Sequence, residues 1–135
     1  MLIGWETAKF MASKPKIHAE FWLKFIRENP LSYGIGFDNL RWHLERDKNL
    51  TLADIGTSEE ELKRLEVEGC KAAARFYIGL LERDSDSIGL EDDCHRRGYI
   101  EHLFMEIDAG GLLPADIGTC QVQLNIYDFL RYPPT

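Results

Sequence analysis

Apolar residues return at helical spacing through most of the chain, and caps, prolines and glycines mark the breaks between runs. The strongest run is Leu62, Leu65, Gly69, Ala73, Phe76, Tyr77 and Leu80, the three-and-four spacing of one helix face. Ser58-x-x-Glu61, just ahead of it, is a capping box: the hydroxyl accepts an otherwise unpaired backbone N–H and the carboxylate reaches back. Three consecutive glutamates, Glu59 to Glu61, suit the positive end of the helix dipole. A long helix over about 59–83 is expected at the centre of the core. Gly69, Ala72 and Ala73 are small enough to let another helix cross it closely.

Upstream, Ser13-Lys14-Pro15 pairs an N-cap with an early proline, and Ile17, Phe21, Phe25 and Ile26 form the stripe of the helix that follows. That helix ends near Asn29-Pro30, because a residue before proline avoids the helical region. LSYGIGF reads as a glycine-rich connector, and a shorter helix starts at Asp38 with Leu40 and Leu44 on its inner face. Downstream, Leu90–Asp108 is helical with Ile100, Leu103, Phe104 and Ile107 as its core face, and Gly110-Gly111 stops it. The C-terminal segment CQVQLNIYDFLRYPPT is ambiguous. Cys120, Val122, Leu124 and Ile126 alternate as in a strand, while Leu124, Tyr127 and Leu130 fit a helix. With no second strand to pair with it, helix is the choice. The expectation is an all-α fold of five or six helices, a single domain over 1–135.

The word ADIGT occurs twice, at Ala53–Thr57 and Ala115–Thr119. In each copy Ala-Asp-Ile closes a short helical turn with the isoleucine plugging the core beneath it. Gly56 or Gly118 takes the left-handed position, and Thr57 or Thr119 caps the next helix. The stretch LTLADIGTSEEEL resembles the Leu-x-Ala-Asp-Ile-Gly turn of the short arginine-rich YjiS-like bacterial domains of unknown function. The arginines that follow the turn there are glutamates here. The resemblance implies a helix–turn–helix geometry and nothing about activity.

Composition narrows the function classes. The chain has 135 residues and a formal net charge of −7. Residues 1–50 carry 8 Lys/Arg against 6 Asp/Glu, whereas residues 51–135 carry 8 against 17. An acidic body repels the phosphate backbone, so direct nucleic-acid binding is disfavoured; a basic protein partner is compatible with the charge, which otherwise serves solubility. No apolar run spans a bilayer, and Glu6 interrupts any apolar leader in MLIGWETAKFMASKPK. A cytoplasmic location is therefore expected. The three cysteines, Cys70, Cys94 and Cys120, form no CxxC pair and are expected as free thiols.

Three sets of residues invite chemistry. GIG in SYGIGF is a lone GxG with no strand before it, which is a turn and not a nucleotide fingerprint. DSDSIGLEDDCH places Asp84, Asp86 and Gly89 at loop positions 1, 3 and 6 of a calcium-binding loop. Ile88 and His95, however, stand where a ligand and the bidentate glutamate belong. Glu91, His95, His102 and Glu106 share one face of the helix over 90–108, but His95 and His102 lie two turns, about 10.5 Å, apart. They offer two half-sites for a metal enzyme or sensor, or a strip that faces a partner. Glu66 falls within the apolar stripe of the long helix and reads as a position at the core edge, the alternative being a functional buried carboxylate. No GxSxG elbow is present, and His18 and His43 stand alone and read as surface or core-edge residues. The reading is a small acidic helical protein acting as a non-enzymatic interaction, regulatory or inhibitor module, without cofactor and with room for a homodimer.

Overall fold

A computed structural model describes residues 3–47, 49–87 and 93–131, with side chains described over 15–47, 49–83 and 95–131. The described residues form five α-helices and no strand. In order these are α1 (Ile3–Glu28), α2 (Tyr33–Arg46), α3 (Glu59–Ser87), α4 (Asp93–Gly110) and α5 (Gln121–Arg131), with short 3-10 turns between them. The all-α expectation holds, and the ambiguous C-terminal segment is the helix α5. The chain gathers into two compact units, Met1–Leu65 and Glu66–Thr135, with α3 beginning in the first and continuing in the second.

In the first unit the core is Ala19, Leu23 and Ile26 of α1, Phe37 and Leu40 of α2, Ile55 and Leu65. This corrects the expected stripe of α1. Of Ile17, Phe21, Phe25 and Ile26, only Ile26 is buried; Ile17 and Phe21 are exposed. At 100° per residue, Ala19, Leu23 and Ile26 cluster on one side and Ile17, Phe21 and Phe25 on another. The helix is apolar on two faces, and spacing alone does not say which one packs. Nor does α1 begin at Pro15. It starts at Ile3 and carries Pro15 inside, losing one backbone bond at about 3 kcal/mol while the helix continues on both sides of the break.

The glycine-rich connector is also corrected. Gly34 and Gly36 lie in the first turns of α2, which begins at Tyr33 and not at Asp38. A Cβ on Gly36 would sit 2.5 Å from Ile26 Cγ1 and 3.3 Å from Phe25 Cδ1. The glycine is there for close approach between α1 and α2, an advantage that outweighs its poor helix propensity.

Both copies of ADIGT have one geometry. Gly56 and Gly118 are left-handed, with φ of 78° and 71°, and Ile55 and Ile117 are buried beneath the turns. The Gly56 N–H donates to Ala53 O at 3.1 Å and the Thr57 N–H to Leu52 O at 3.0 Å, the paired bonds of a Schellman motif. The second copy repeats them, Gly118 to Ala115 at 3.5 Å and Thr119 to Pro114 at 3.1 Å. The aspartate closes the turn from the other end. Asp54 Oδ2 accepts the Thr51 N–H at 2.9 Å, and Asp116 Oδ2 accepts the Leu113 N–H at 2.8 Å. That donor holds the Asp54 carboxyl below its ordinary pKa.

One detail differs from expectation. Thr57 and Thr119 stand one residue before the N-cap, because α3 starts at Glu59 and α5 at Gln121. Ser58 caps α3, its Oγ accepting the Glu61 N–H at 3.2 Å. The Glu61 carboxylate turns instead to the Thr57 hydroxyl at 2.7 Å and to Arg27. An arginine from another helix braces each turn: Arg27 Nη2 donates to Gly56 O at 3.0 Å and Arg75 Nη2 to Asp116 O at 2.7 Å. Every residue of the repeated word thus has a local structural task. Gly56→Ala and Gly118→Ala are each expected to cost about 1 kcal/mol in urea unfolding. Neither site has an atom within 4 Å of the added Cβ, so the cost comes from the positive φ alone.

In the second unit the small stripe of α3 is buried at Gly69, Cys70, Ala73 and Ala74, and α4 contributes Ile100 and Leu103. A Cβ on Gly110, the last residue of α4, would lie 2.8 Å from Cys70 Cβ. The small residues of α3 do admit a close neighbour. Helix α3 runs on through Asp84 and Asp86 to Ser87, so positions 1 and 3 of the supposed calcium loop are helical. Gly89 lies outside the described residues.

Candidate functional site

The outer seam between α1 and α2 is lined by aromatic and apolar side chains that lie far apart along the chain. On α1, Phe21 packs edge-on to Trp22 at 5.1 Å between ring centroids, and Trp22 to Phe25 at 5.3 Å. Across the seam His18 meets His43 edge-on at 4.9 Å, and His43 in turn meets Trp42 at 4.8 Å. The Arg46 guanidinium lies 4.1 Å above the Trp42 ring, a cation–π contact that holds the indole in place. Phe21 is 57% and Trp42 51% exposed, and Ile17 and Ile35 are exposed aliphatics.

Helical geometry explains the grouping. Ile17, Phe21 and Phe25 are four residues apart on α1, and Ile35, Asn39, Trp42 and Arg46 fall on one face of α2. The missing Cβ of Gly36 draws the two helices together, so both faces border one seam. Asp38, Asn39, Trp42 and His43 line an open depression of about 370 Å³ beside it. The Asn39 Nδ2 donates to Ile35 O at 2.8 Å.

His43 is the one buried polar side chain among the described residues. Burial pushes its pKa below the ordinary histidine value, and the charges of His18 and Arg46 push it the same way. A histidine held neutral in the fold and free to protonate when unfolded favours the unfolded state in acid. Stability is therefore expected to be undiminished above about pH 6.5, the unperturbed value, and to fall as pH drops from there through the lowered pKa. Urea midpoints between pH 7.5 and 5 measure this. His43→Gln is expected to flatten the profile, and an unchanged slope would assign the loss to other groups.

Glu91 lies outside the described residues. His95 and His102 are exposed on α4, and Glu106 is half-buried. The His102 ring stacks on Tyr77 of α3 at 5.3 Å with an interplanar angle of 12°, so one imidazole face is occupied by an aromatic neighbour. Among the described residues no three of His, Cys, Asp or Glu gather closely enough to hold a metal ion. Glu66 is half-buried, as expected of the core edge. Neither Cys70 nor Cys120 is in a disulfide; the first is buried and the second exposed. No described helix is long and apolar enough to cross a membrane.

No family model, curated protein or solved structure matches the chain. The likeness of LTLADIGTSEEEL to the YjiS-like turn is a likeness of one turn.

Proposed function

We propose that this is a non-enzymatic protein-interaction module of regulatory or inhibitor type, set in the cytoplasm, whose main contact surface is the α1–α2 seam. The observation that carries the reading is the exposure of two large aromatic side chains, Phe21 on α1 and Trp42 on α2, each packed in its own cluster of rings beside the seam. Contiguous apolar surface rimmed by polar groups marks interaction sites, and aromatic anchors supply most of the energy at such sites. Trp42 is also held in place by Arg46, so less rotamer freedom is lost on binding. The net charge of −7, whose excess lies in residues 66–135, steers a basic partner toward the molecule as a whole, an attraction that weakens with salt. Glu91, His95, His102 and Glu106 are proposed as a second, polar contact.

The test uses the purified protein as bait, with Phe21→Asp and Trp42→Asp beside it and helicity checked by circular dichroism. Each variant is expected to retain its fold and to lose partner capture by about tenfold or more. Capture by both folded variants at the native level would discard the seam as the contact surface.

A further inference from the structure

Helix α5 is apolar on two sides. Leu124 and Tyr127 are buried, while Val122, Ile126 and Phe129 form a stripe on another side that is 69%, 47% and 61% exposed. The spacing of four and three residues puts all three within one narrow face about 10.5 Å long. We infer that this face is a self-association surface, on which α5 of a second copy of the chain packs antiparallel about a two-fold axis near Ile126. The inference deepens the interaction reading by naming a partner for a face other than the α1–α2 seam.

Charge selects the occupant. Residues 66–135 carry 13 Asp/Glu against 6 Lys/Arg, whereas residues 1–65 balance at 10 of each. Two copies meeting through the second unit repel one another wherever carboxylates face across the contact. The α5 stripe avoids this: its neighbours along the helix are Gln121, Gln123 and Asn125, and the Asp128 carboxylate is paired with Arg131 at 2.8 Å. An uncharged face offers nothing to a basic partner, but amides suit a second copy of themselves. Each carries both donors and acceptors, so an amide surface can pair with its own image, which a carboxylate surface cannot. Gln121 and Asn125 already bond to each other across one turn at 2.9 Å.

Size matching supports the antiparallel arrangement. About an axis near Ile126, the small Val122 of one copy falls opposite the large Phe129 of the other, and Ile126 meets its own image. Alternating small and large groups is how facing helices interdigitate, and an isologous contact requires this self-complementarity. The helix dipoles also oppose favourably when the two copies of α5 run antiparallel. Three apolar side chains per copy fall short of the roughly 800 Å² per partner of a standard stable interface. The dimer is therefore weak and reversible, with a dissociation constant on the order of 100 µM.

Sedimentation equilibrium of the full chain between 10 and 500 µM tests the inference, at low and at high salt. A monomer–dimer equilibrium is expected that tightens about threefold or more at high salt, because screening relieves repulsion between two acidic copies. Ile126→Asp is expected to raise the dissociation constant about tenfold or more, since a charge meets its own image in a desolvated contact. Phe129→Ser serves as the second variant should the first lose helicity. In a Cys94→Ser, Cys120→Ser background, Ile126→Cys is expected to form an oxidised dimer, while the same background with Ile126 intact does not. A native chain that stays monomeric at 500 µM in high salt overturns the inference, as does a dimer that survives both substitutions. Either result leaves capture by the Phe21 and Trp42 variants as the separate test of the α1–α2 seam.

Discussion

Leu23→Ala is expected to lower stability by about 3–5 kcal/mol, while Phe21→Ala, two residues away on α1, is expected to cost under about 1 kcal/mol. Leu23 is fully buried among the side chains of α1 and α2. Removing its branched end leaves a cavity that well-packed neighbours fill only in part, so transfer and cavity costs add. Phe21 projects from another face and touches the edge of Trp22. Its loss removes one aromatic contact and opens no cavity. Urea unfolding of the two variants under one set of conditions makes the comparison. Equal losses would place the core of the first unit on the Ile17–Phe21–Phe25 side and remove the basis for reading that side as a contact surface. The expected inequality has a functional counterpart: the cheaper substitution is the one that should disturb binding.

Which features were legible in the sequence follows from how far apart their partners lie. The ADIGT turns were readable because every bond that defines them closes within a few residues, from the Asp54 carboxylate to the Thr57 N–H. The cap at Ser58 and the stop at Gly110-Gly111 were readable for the same reason. The packed face of α1 was not, because bulky apolar residues occupy two faces and periodicity counts them without knowing the neighbour. Three large side chains, Ile17, Phe21 and Phe25, outweighed the set of Ala19, Leu23 and Ile26 that includes the small alanine the close crossing needs. SYGIGF misled in the opposite sense. Glycine signals a break in any single helix, yet Gly36 is needed by the pair.

The pairing of the two helices at the candidate site was hidden by distance. His18 and His43 are 25 positions apart, and neither has a chemically suggestive neighbour in sequence. Only the approach of α1 to α2 makes them a pair beside Trp42. The Glu91–His95–His102–Glu106 strip had the reverse history, since helical spacing makes it visible from sequence without saying what else stands near it. Stacking of His102 on Tyr77 is such a tertiary fact. A signal for the seam did exist in the sequence: two non-coincident apolar faces on α1, more than one core requires. The same surplus appears on α5, where Val122, Ile126 and Phe129 supplement Leu124 and Tyr127. A helix with an apolar face to spare is a helix with a further surface to cover.

Gly36→Ala and Gly34→Ala are expected to move stability in opposite directions, although both add one methyl group to the first turns of α2. In a helix interior the exchange of glycine for alanine ordinarily gains about 0.5–1 kcal/mol, because the unfolded chain loses freedom. Gly34 has no atom within 4 Å of the new Cβ, so it should show that gain. At Gly36 the methyl lands 2.5 Å from Ile26 Cγ1, well inside contact distance, and Ile26 is itself fully buried. Either α2 withdraws from α1 or Ile26 leaves its rotamer. Overpacking of this kind costs about 1–3 kcal/mol, enough to reverse the propensity gain. If close packing is the cause, Ile26→Ala should make the added methyl tolerable. The double variant would then be more stable than the sum of the two single losses predicts, by about 1 kcal/mol or more. Additive losses would show that the methyl acts elsewhere, and a stabilising Gly36→Ala would show that α1 and α2 are not held together at that glycine.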